Sequence, residues 1–276
     1  MTFSATGDTG YNRPEISQDA VLFVKRYLLA HGFGFTDDYW KNLVPLLDGE
    51  VHFLDDAGLD VSKTYIGIGH SIGFLHLNNS GVRFEALVAL QGFLNFCGST
   101  ERMRKVREAG VEKVRAELLK DKVASLTRFR SACGYHEPVD ANIPMQHLLA
   151  ELDMMKKAYT HCGVRTLVIG GKDDAIVPMS LIRDNFGNLL NVSIIQTDGV
   201  GHSLGYNMAT FVTGKISEFL QVQGKFSACS YDRYADVQQR CAEKLVDLLP
   251  HNLDVYSFID IGAGTGFATS RLVKCR

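Results

Sequence analysis

The sequence lacks the features of disordered, fibrous and membrane-spanning chains. It has only 6 prolines in 276 residues, and 46% of its residues are hydrophobic, which together exclude a disordered or collagen-like chain. No run of apolar residues approaches the roughly 18 that a membrane-spanning helix requires. Residues 1–20 are polar and lack the apolar segment of a secretory signal. These absences predict a folded cytoplasmic protein that does not act at a membrane.

The sequence also lacks closely spaced cysteines and a large net charge. Its 6 cysteines form no Cys-x-x-Cys pair and no histidines stand at metal-ligand spacing, so we expect free thiols and no metal site. The formal net charge of −2 provides no basic field that would attract nucleic acid. The charge is unevenly distributed, however, because residues 101–130 contain ten basic and five acidic residues, a net charge of +5.

Short β-branched or aromatic segments alternate with amphipathic segments along most of the chain. This alternation predicts an α/β fold with a mostly parallel sheet and helices on both faces. A helix is expected to begin at Thr36 or Asp37, another near Phe74, and a closing helix to cover residues 207–220. The predicted strands are residues 26–30, 50–54, 63–68, 84–92, 165–169 and 191–196.

A Lys-, Arg- and Glu-rich helical stretch interrupts the alternation at about residues 99–160. Because predicted strands resume after it, we expect this insertion to lie above the sheet as a helical cap. We divide the chain into a polar segment at residues 1–20, a main α/β domain at residues 21–222 that contains the cap, and a second α/β unit at residues 225–276.

Residues 69–73 read Gly-His-Ser-Ile-Gly and match the Gly-x-Ser-x-Gly pattern of a nucleophile elbow. A chain of this composition contains about 0.1 to 0.2 such matches by chance, so the pattern alone is moderate evidence. Here it follows a predicted strand and precedes a predicted helix, as the mechanism requires. We therefore identify Ser71 as a candidate nucleophile.

A serine hydroxyl needs a base, and the base needs a carboxylate that orients it. His202 and Asp174 follow later predicted strands in the chain order Ser, Asp, His, and Asp173 is the alternative acid. The backbone amides of Phe33 and Ile72 are candidates for an oxyanion hole.

Two further interpretations of these residues stay open. An α/β domain that has lost its activity and acts as a binding module could keep the same motifs. The other histidines are expected to be structural: His52, His70, His76, His136, His147, His161 and His251.

Residues 26–222 resemble the α/β-hydrolase superfamily through four motifs: residues 31–34 (His-Gly-Phe-Gly), residues 69–73, residues 171–178 and residues 199–202. The first motif, followed by Tyr-Trp and the serine motif, is similar to carboxylesterases that act on the methyl ester of pimeloyl-acyl carrier protein. There is little room for the family's opening hairpin, so we expect a sheet trimmed to about six strands.

The resemblance implies an esterase that releases methanol from this carrier-bound ester in biotin biosynthesis, with no cofactor and as a monomer. An acidic carrier protein would need a cationic docking surface, and a solvated helical face is the alternative. The candidates are the ten basic residues of the cap: Arg102, Arg104, Lys105, Arg107, Lys113, Arg115, Lys120, Lys122, Arg128 and Arg130. Phe74 and Phe93 would line an acyl channel or belong to the core. A general short-chain esterase or lactonase is the second enzymatic hypothesis.

Residues 255–266 resemble the first motif of S-adenosylmethionine-dependent methyltransferases, with Gly262, Gly264 and Gly266 as its glycine turn. The preceding segment is similar to the N-terminal helix of malonyl-acyl carrier protein O-methyltransferases. Such a site also needs an acidic residue about twenty positions further on. The sequence given ends ten residues after Gly266, so we expect a truncated methyltransferase start without methyl transfer.

Overall fold

A computed structural model describes residues 24–224 of the protein. In this range six strands form one sheet in the order β2-β1-β3-β4-β5-β6, and every neighbouring pair is parallel. The strands are β1 Lys25–Ala30, β2 Gly49–Phe53, β3 Thr64–His70, β4 Arg83–Leu90, β5 Thr166–Gly171 and β6 Val192–Thr197. The predicted sheet of about six strands is confirmed. The polar segment and the glycine turn at Gly262, Gly264 and Gly266 lie outside the described residues.

Helices pack on both faces of this sheet, as predicted. They are α1 Ile72–Asn79, α2 Glu101–Lys120, α3 Lys122–Ala132, α4 Met145–Met155, α5 Met179–Phe186, α6 Leu204–Asn207 and α7 Ala209–Gly224. Our prediction of a helix starting at Thr36 or Asp37 is wrong in type, because two short 3-10 helices occupy this region, Asp37–Trp40 and Val44–Leu46. Pro45 lies in the second and has no backbone N–H to donate to a longer helix.

The four inner strands β1, β3, β4 and β5 are buried on both faces over most of their length, which explains why their sequences contain apolar runs rather than alternating patterns. In β4, Leu87 and Ala89 join one hydrophobic cluster while Val88 and Leu90 join the other, because successive side chains point to opposite faces. The first cluster contains side chains of α1, α5 and the inserted helices. The second contains the 3-10 helices, α6 and α7.

Helices α2 to α4, which we call the cap region, form the insertion between β4 and β5. Polar side chains start two of its helices: Thr100 accepts a hydrogen bond from the Met103 amide, and Asp121 accepts one from the Ala124 amide. An isolated antiparallel bridge between Asn95 and Ala158 holds the two ends of the insertion together. No helix within residues 24–224 is long and apolar enough to cross a membrane.

A buried carboxylate fixes the cap region to the sheet domain. Glu151 of α4 is 2% exposed, and its Oε1 lies 3.0 Å from Nε2 of His76 on α1. Nε2 of His147, one helical turn before Glu151, lies 3.5 Å from the same oxygen. The hydrogen bond to Glu151 raises the pKa of His147.

Candidate active site

The turn after β3 holds Ser71 in a conformation that few residues adopt. Its φ of 55° and ψ of −123° cost of order 1 to 3 kcal/mol for a residue with a side chain. The chain can turn this sharply because Gly69 and Gly73 have no side chains and can lie close to neighbouring backbone atoms. A Cβ atom on Gly73 would lie 2.1 Å from the Ala30 carbonyl oxygen, and one on Gly69 would lie 2.5 Å from the Phe74 nitrogen. Both positions therefore require glycine.

Ser71, His202 and Asp174 form one hydrogen-bonded chain. Nε2 of His202 lies 3.0 Å from Oγ of Ser71, and Nδ1 lies 2.7 Å from Oδ2 of Asp174. An ionised carboxylate only accepts hydrogen bonds, so Nδ1 carries the proton and leaves the Nε2 lone pair free to accept the serine proton. All three side chains are buried. The three candidates come from loops at the carboxyl ends of β3, β5 and β6, where parallel strands bring distant residues together.

The structure distinguishes the two neighbouring aspartates. Oδ1 of Asp174 accepts hydrogen bonds from the amides of Ile176 and Val177, at 2.8 and 2.9 Å, which leaves Oδ2 facing His202. Asp173 is exposed and accepts a hydrogen bond from the Gly199 amide instead. Asp174 is therefore the acid in contact with the histidine.

The two candidate oxyanion-hole amides lie beside the serine. A Cβ atom on Gly32 would lie 3.1 Å from Cβ of Ser71, so the backbone turn that contains Phe33 rests against the serine. Ile72 directly follows the serine and starts α1. Within residues 24–224, neither the Phe33 nor the Ile72 amide donates a hydrogen bond to another group.

Two buried polar residues that sequence reasoning did not assign to the site hold the histidine loop. His70 donates from Nε2 to the backbone carbonyl of His202 at 3.0 Å, and its ring stacks on Tyr39 at 4.2 Å. Burial lowers the pKa of His70 well below its usual value, so the ring is neutral. Gln91, the residue after β4, is also fully buried and has a φ of 54°. The only sequence signal for Gln91 is its place directly after the apolar run at residues 86–90.

The cap region covers the turn that contains Phe33. The Phe33 ring packs edge-to-face on Phe129 of α3, with centroids 5.4 Å apart. Arg130 was predicted to belong to an exposed docking surface, but it is 2% exposed. Its Nε donates to the Gly34 carbonyl at 2.7 Å and its Nη1 to the Pro138 carbonyl at 2.8 Å. The prediction that Arg130 is a surface cation is therefore wrong, because the fold of the cap turns its side chain inward.

The other predicted substrate contacts lie in different environments. Phe74 and Phe93 are both fully buried in the hydrophobic core, where their rings pack on Phe186 and Phe96. Arg128 is exposed on α3 and lies 3.3 Å from Glu117. Of Arg128 and Arg130, only Arg128 is therefore accessible to a partner.

A cap side chain also contacts the loop of the acid. Arg107 of α2 donates from Nη1 to the Ile176 carbonyl at 3.1 Å, and its guanidinium lies 5.0 Å from the centre of the Phe96 ring. Burial lowers the pKa of Arg107 from its usual value, although the group remains a cation.

Among curated proteins, the chain matches the biotin biosynthesis bifunctional protein BioHC of Cellvibrio japonicus with 28% identity over 138 residues. The match covers 45% of this chain and spans about a quarter (27%) of that protein's length. No protein-family model matches the chain.

Solved structures resemble the described fold more broadly. A bromoperoxidase from Bacillus anthracis has a TM-score of 0.52 at 18% identity, covering 72% of this chain and 92% of its own. A lipase-esterase related protein from Clostridium acetobutylicum has a TM-score of 0.53 at 15% identity, covering 71% of this chain and 94% of its own. Together with the strand order and the helices on both faces, these likenesses show an α/β-hydrolase fold.

Proposed function

We propose that the protein is a serine carboxylesterase that uses Ser71, His202 and Asp174. The hydrogen-bonded chain of these three side chains carries the proposal. It has the chain order, the strand ends and the distances that nucleophilic ester hydrolysis needs. The two free amides beside the serine support the same reaction, since they can stabilise the charge that develops on a carbonyl oxygen.

The first half of the reaction forms an acyl-enzyme. His202 Nε2 accepts the Ser71 hydroxyl proton as Oγ attacks the ester carbonyl carbon, and the carbonyl electrons move to the oxygen. The Phe33 and Ile72 amides bind this oxyanion. When the tetrahedral intermediate collapses, the bond between the carbonyl carbon and the alkoxy oxygen breaks. His202 donates its proton to that oxygen, so that an alcohol leaves.

The second half restores the enzyme. His202 removes a proton from water as the water oxygen attacks the acyl-serine carbonyl, and the new oxyanion occupies the same two amides. Collapse then breaks the bond to Ser71 Oγ, which takes the proton from His202, and the carboxylic acid leaves. Asp174 stays ionised throughout and orients the protonated imidazole.

The substrate that we propose is the methyl ester of pimeloyl-acyl carrier protein, so the alcohol is methanol. The resemblance of residues 31–40 and 69–73 to esterases of this kind supports it, and the curated relative is named for biotin biosynthesis. A general esterase for small free esters is the alternative.

The outer face of α2 supports docking of an acidic carrier. Arg102, Lys113 and Lys120 are exposed and lie 11 and 7 residues apart, close to whole numbers of helical turns, so they form one stripe. None of the three pairs with an acidic side chain within residues 24–224. The basic residues of α2 that do form ion pairs are Lys105 and Arg115. An unpaired cationic stripe favours encounter with a negatively charged protein.

Hydrolysis of methyl pimeloyl-acyl carrier protein by the wild type and by Ser71→Ala tests the function. We expect methanol release from the wild type and a loss of at least about 10⁴-fold in kcat for Ser71→Ala. Covalent labelling of Ser71 by a fluorophosphonate tests the nucleophile separately. If the wild type cleaves p-nitrophenyl butyrate but leaves the carrier ester intact, the protein is a general esterase. If the fluorophosphonate does not label Ser71, the protein is a binding module.

The triple variant Arg102→Glu, Lys113→Glu, Lys120→Glu tests the docking stripe. We expect KM for the carrier ester to rise about tenfold, since each exposed ion pair is worth less than about 1 kcal/mol. Its hydrolysis of p-nitrophenyl butyrate should be unchanged. Lys63→Glu, a single substitution of the same kind, is the control: Lys63 is exposed just before β3, at the amino end of the sheet, and its substitution should leave KM unchanged. An equal KM for the triple variant and the wild type contradicts docking on this face.

A further inference from the structure

We propose that Gln91 is a positioning residue that fixes the acid and the base of the active site relative to each other. This inference rests on the proposed esterase function and deepens it. Gln91 lies at the carboxyl end of β4, directly after Leu90, and its side chain points into the space between the loops that follow β5 and β6. No sequence motif includes this residue.

The Gln91 side chain makes three contacts, one to the acid and one on each side of the base. Nε2 donates to Oδ2 of Asp174 at 2.7 Å, the same oxygen that faces His202. Nε2 also donates to the Gly201 carbonyl, one residue before the histidine. Oε1 accepts a hydrogen bond from the Leu204 amide at 2.9 Å, two residues after it. The Gln91 side-chain amide therefore joins the two loops that contain Asp174 and His202, which are 28 residues apart in the sequence.

The chemistry of these partners selects an amide at this position. A carboxylate and a carbonyl only accept hydrogen bonds, while a backbone amide only donates, so the site needs two donors and one acceptor. Glutamine supplies all of them without a charge. A glutamate would place a second negative charge beside Asp174, and a lysine would offer no acceptor to Leu204.

The backbone of Gln91 is held in place as firmly as its side chain. Its φ of 54° lies in the left-handed region that favours glycine, and its amide donates to the Ile169 carbonyl of β5 at 2.8 Å. A residue with a long side chain persists in this conformation only where its surroundings determine it. The side chain is fully buried, and its three contacts all belong to the active-site loops.

Kinetics of Gln91→Ala, Gln91→Gly and Gln91→Glu with p-nitrophenyl butyrate test this role without a carrier protein. We expect kcat to fall about 100-fold in each variant while KM stays within twofold, since loss of alignment slows the chemical step. The rate of fluorophosphonate labelling at Ser71 should fall in parallel. Gln91→Gly removes the conformational cost of the left-handed backbone, and Gln91→Glu keeps the side-chain volume. At least one folded variant should therefore report the effect of losing the side-chain amide.

Gln196→Ala is the matched control, because Gln196 lies near the end of β6 and contacts exposed Arg183. It should keep wild-type kcat. If the folded Gln91 variants keep kcat within threefold of the wild type, or lose activity through KM alone, the positioning role is wrong. A wild type whose Ser71 is not labelled at all would instead contradict the proposed function, which separates the two failures.

Discussion

The carboxyl edge of the sheet and the cap region use polar residues in opposite ways. At the sheet edge, Ser71, Asp174 and His202 are buried and each polar atom has a specific partner. On the cap surface, Arg102 and Lys113 are exposed and unpaired with any described acidic residue. The comparison shows that short sequence motifs identify the individual reactive residues at the sheet edge. The charge composition of the cap indicates only that its surface is positively charged, and not which residues are exposed.

The largest expected effect separates the two neighbouring aspartates at the sheet edge. Asp174→Asn should lower kcat by about 10⁴-fold, because an amide that donates to Nδ1 forces the imidazole into the wrong tautomer. Asp173→Asn should keep kcat within about twofold, since Asp173 contacts the exposed Gly199 amide. Steady-state kinetics on a p-nitrophenyl ester measure both. Equal losses in the two variants would contradict the assignment of the acid.

The next effect compares glycines of the two regions by thermal unfolding. Gly73→Ala places a Cβ atom against the Ala30 carbonyl and should destabilise the fold by about 3 kcal/mol, or about 6 to 12 °C in Tm. Gly110→Ala, in the interior of α2 with nothing within 4 Å, should raise Tm by about 2 to 4 °C. A Gly73→Ala variant with wild-type Tm and activity would show that the elbow does not need glycine.

Two arginines of α3 sharpen the comparison within the cap region itself. Arg130→Met leaves the buried Gly34 carbonyl without its donor, removes the partly buried hydrogen bond to the Pro138 carbonyl, and should cost about 2 to 3 kcal/mol in urea unfolding. Arg128→Met removes an exposed pair with Glu117 and should change stability by less than about 0.5 kcal/mol. A larger loss of stability in Arg128→Met than in Arg130→Met would contradict the burial of Arg130.

The smallest effect is a pH dependence of the contact between the cap and the sheet domain. Burial raises the pKa of Glu151, but hydrogen bonds from His147 and His76 outweigh burial and lower it. The pKa of His147 is raised, so its contribution is complete below its unfolded value of about 6.5 and is lost as the pH rises through the folded value. The Glu151 contribution is lost as the pH falls below about 4.

The Tm difference between the wild type and Glu151→Gln should therefore be about 2 to 4 °C larger near pH 5.5 than near pH 8. Differential scanning calorimetry at both pH values measures it. The variant His147→Gln removes the titrating partner and should flatten this dependence. A difference that grows toward pH 8 would contradict the pairing.

Sequence reasoning predicted the parts of the molecule that local patterns determine. Ser71 lies in a turn whose two glycines are close in sequence, so its geometry could be recognised from five residues. Asp174 and His202 follow strands, and parallel strands bring their ends to one edge. The sequence left Asp173 as an alternative, because the choice depends on which carboxylate the Ile176 and Val177 amides orient.

Long-range packing determines what sequence reasoning missed. Gln91 meets Asp174 and Leu204 across 83 and 113 residues, and no local pattern records such contacts. Arg130 has the same composition signal as Arg128, but the fold of the cap turns one inward and leaves the other in solvent. The helical pattern after Thr36 was overridden by Pro45, which limits helix formation to short 3-10 turns.

The hydrogen bond from Arg107 to the Ile176 carbonyl gives the cap region a mechanical link to the acid. The amide of Ile176 donates to Oδ1 of Asp174, so a single peptide residue separates a cap side chain from the carboxylate. Any motion that lifts α2 away from the sheet must break this bond or pull on the acid loop. Displacement of α2 and alignment of the acid are therefore coupled in this protein.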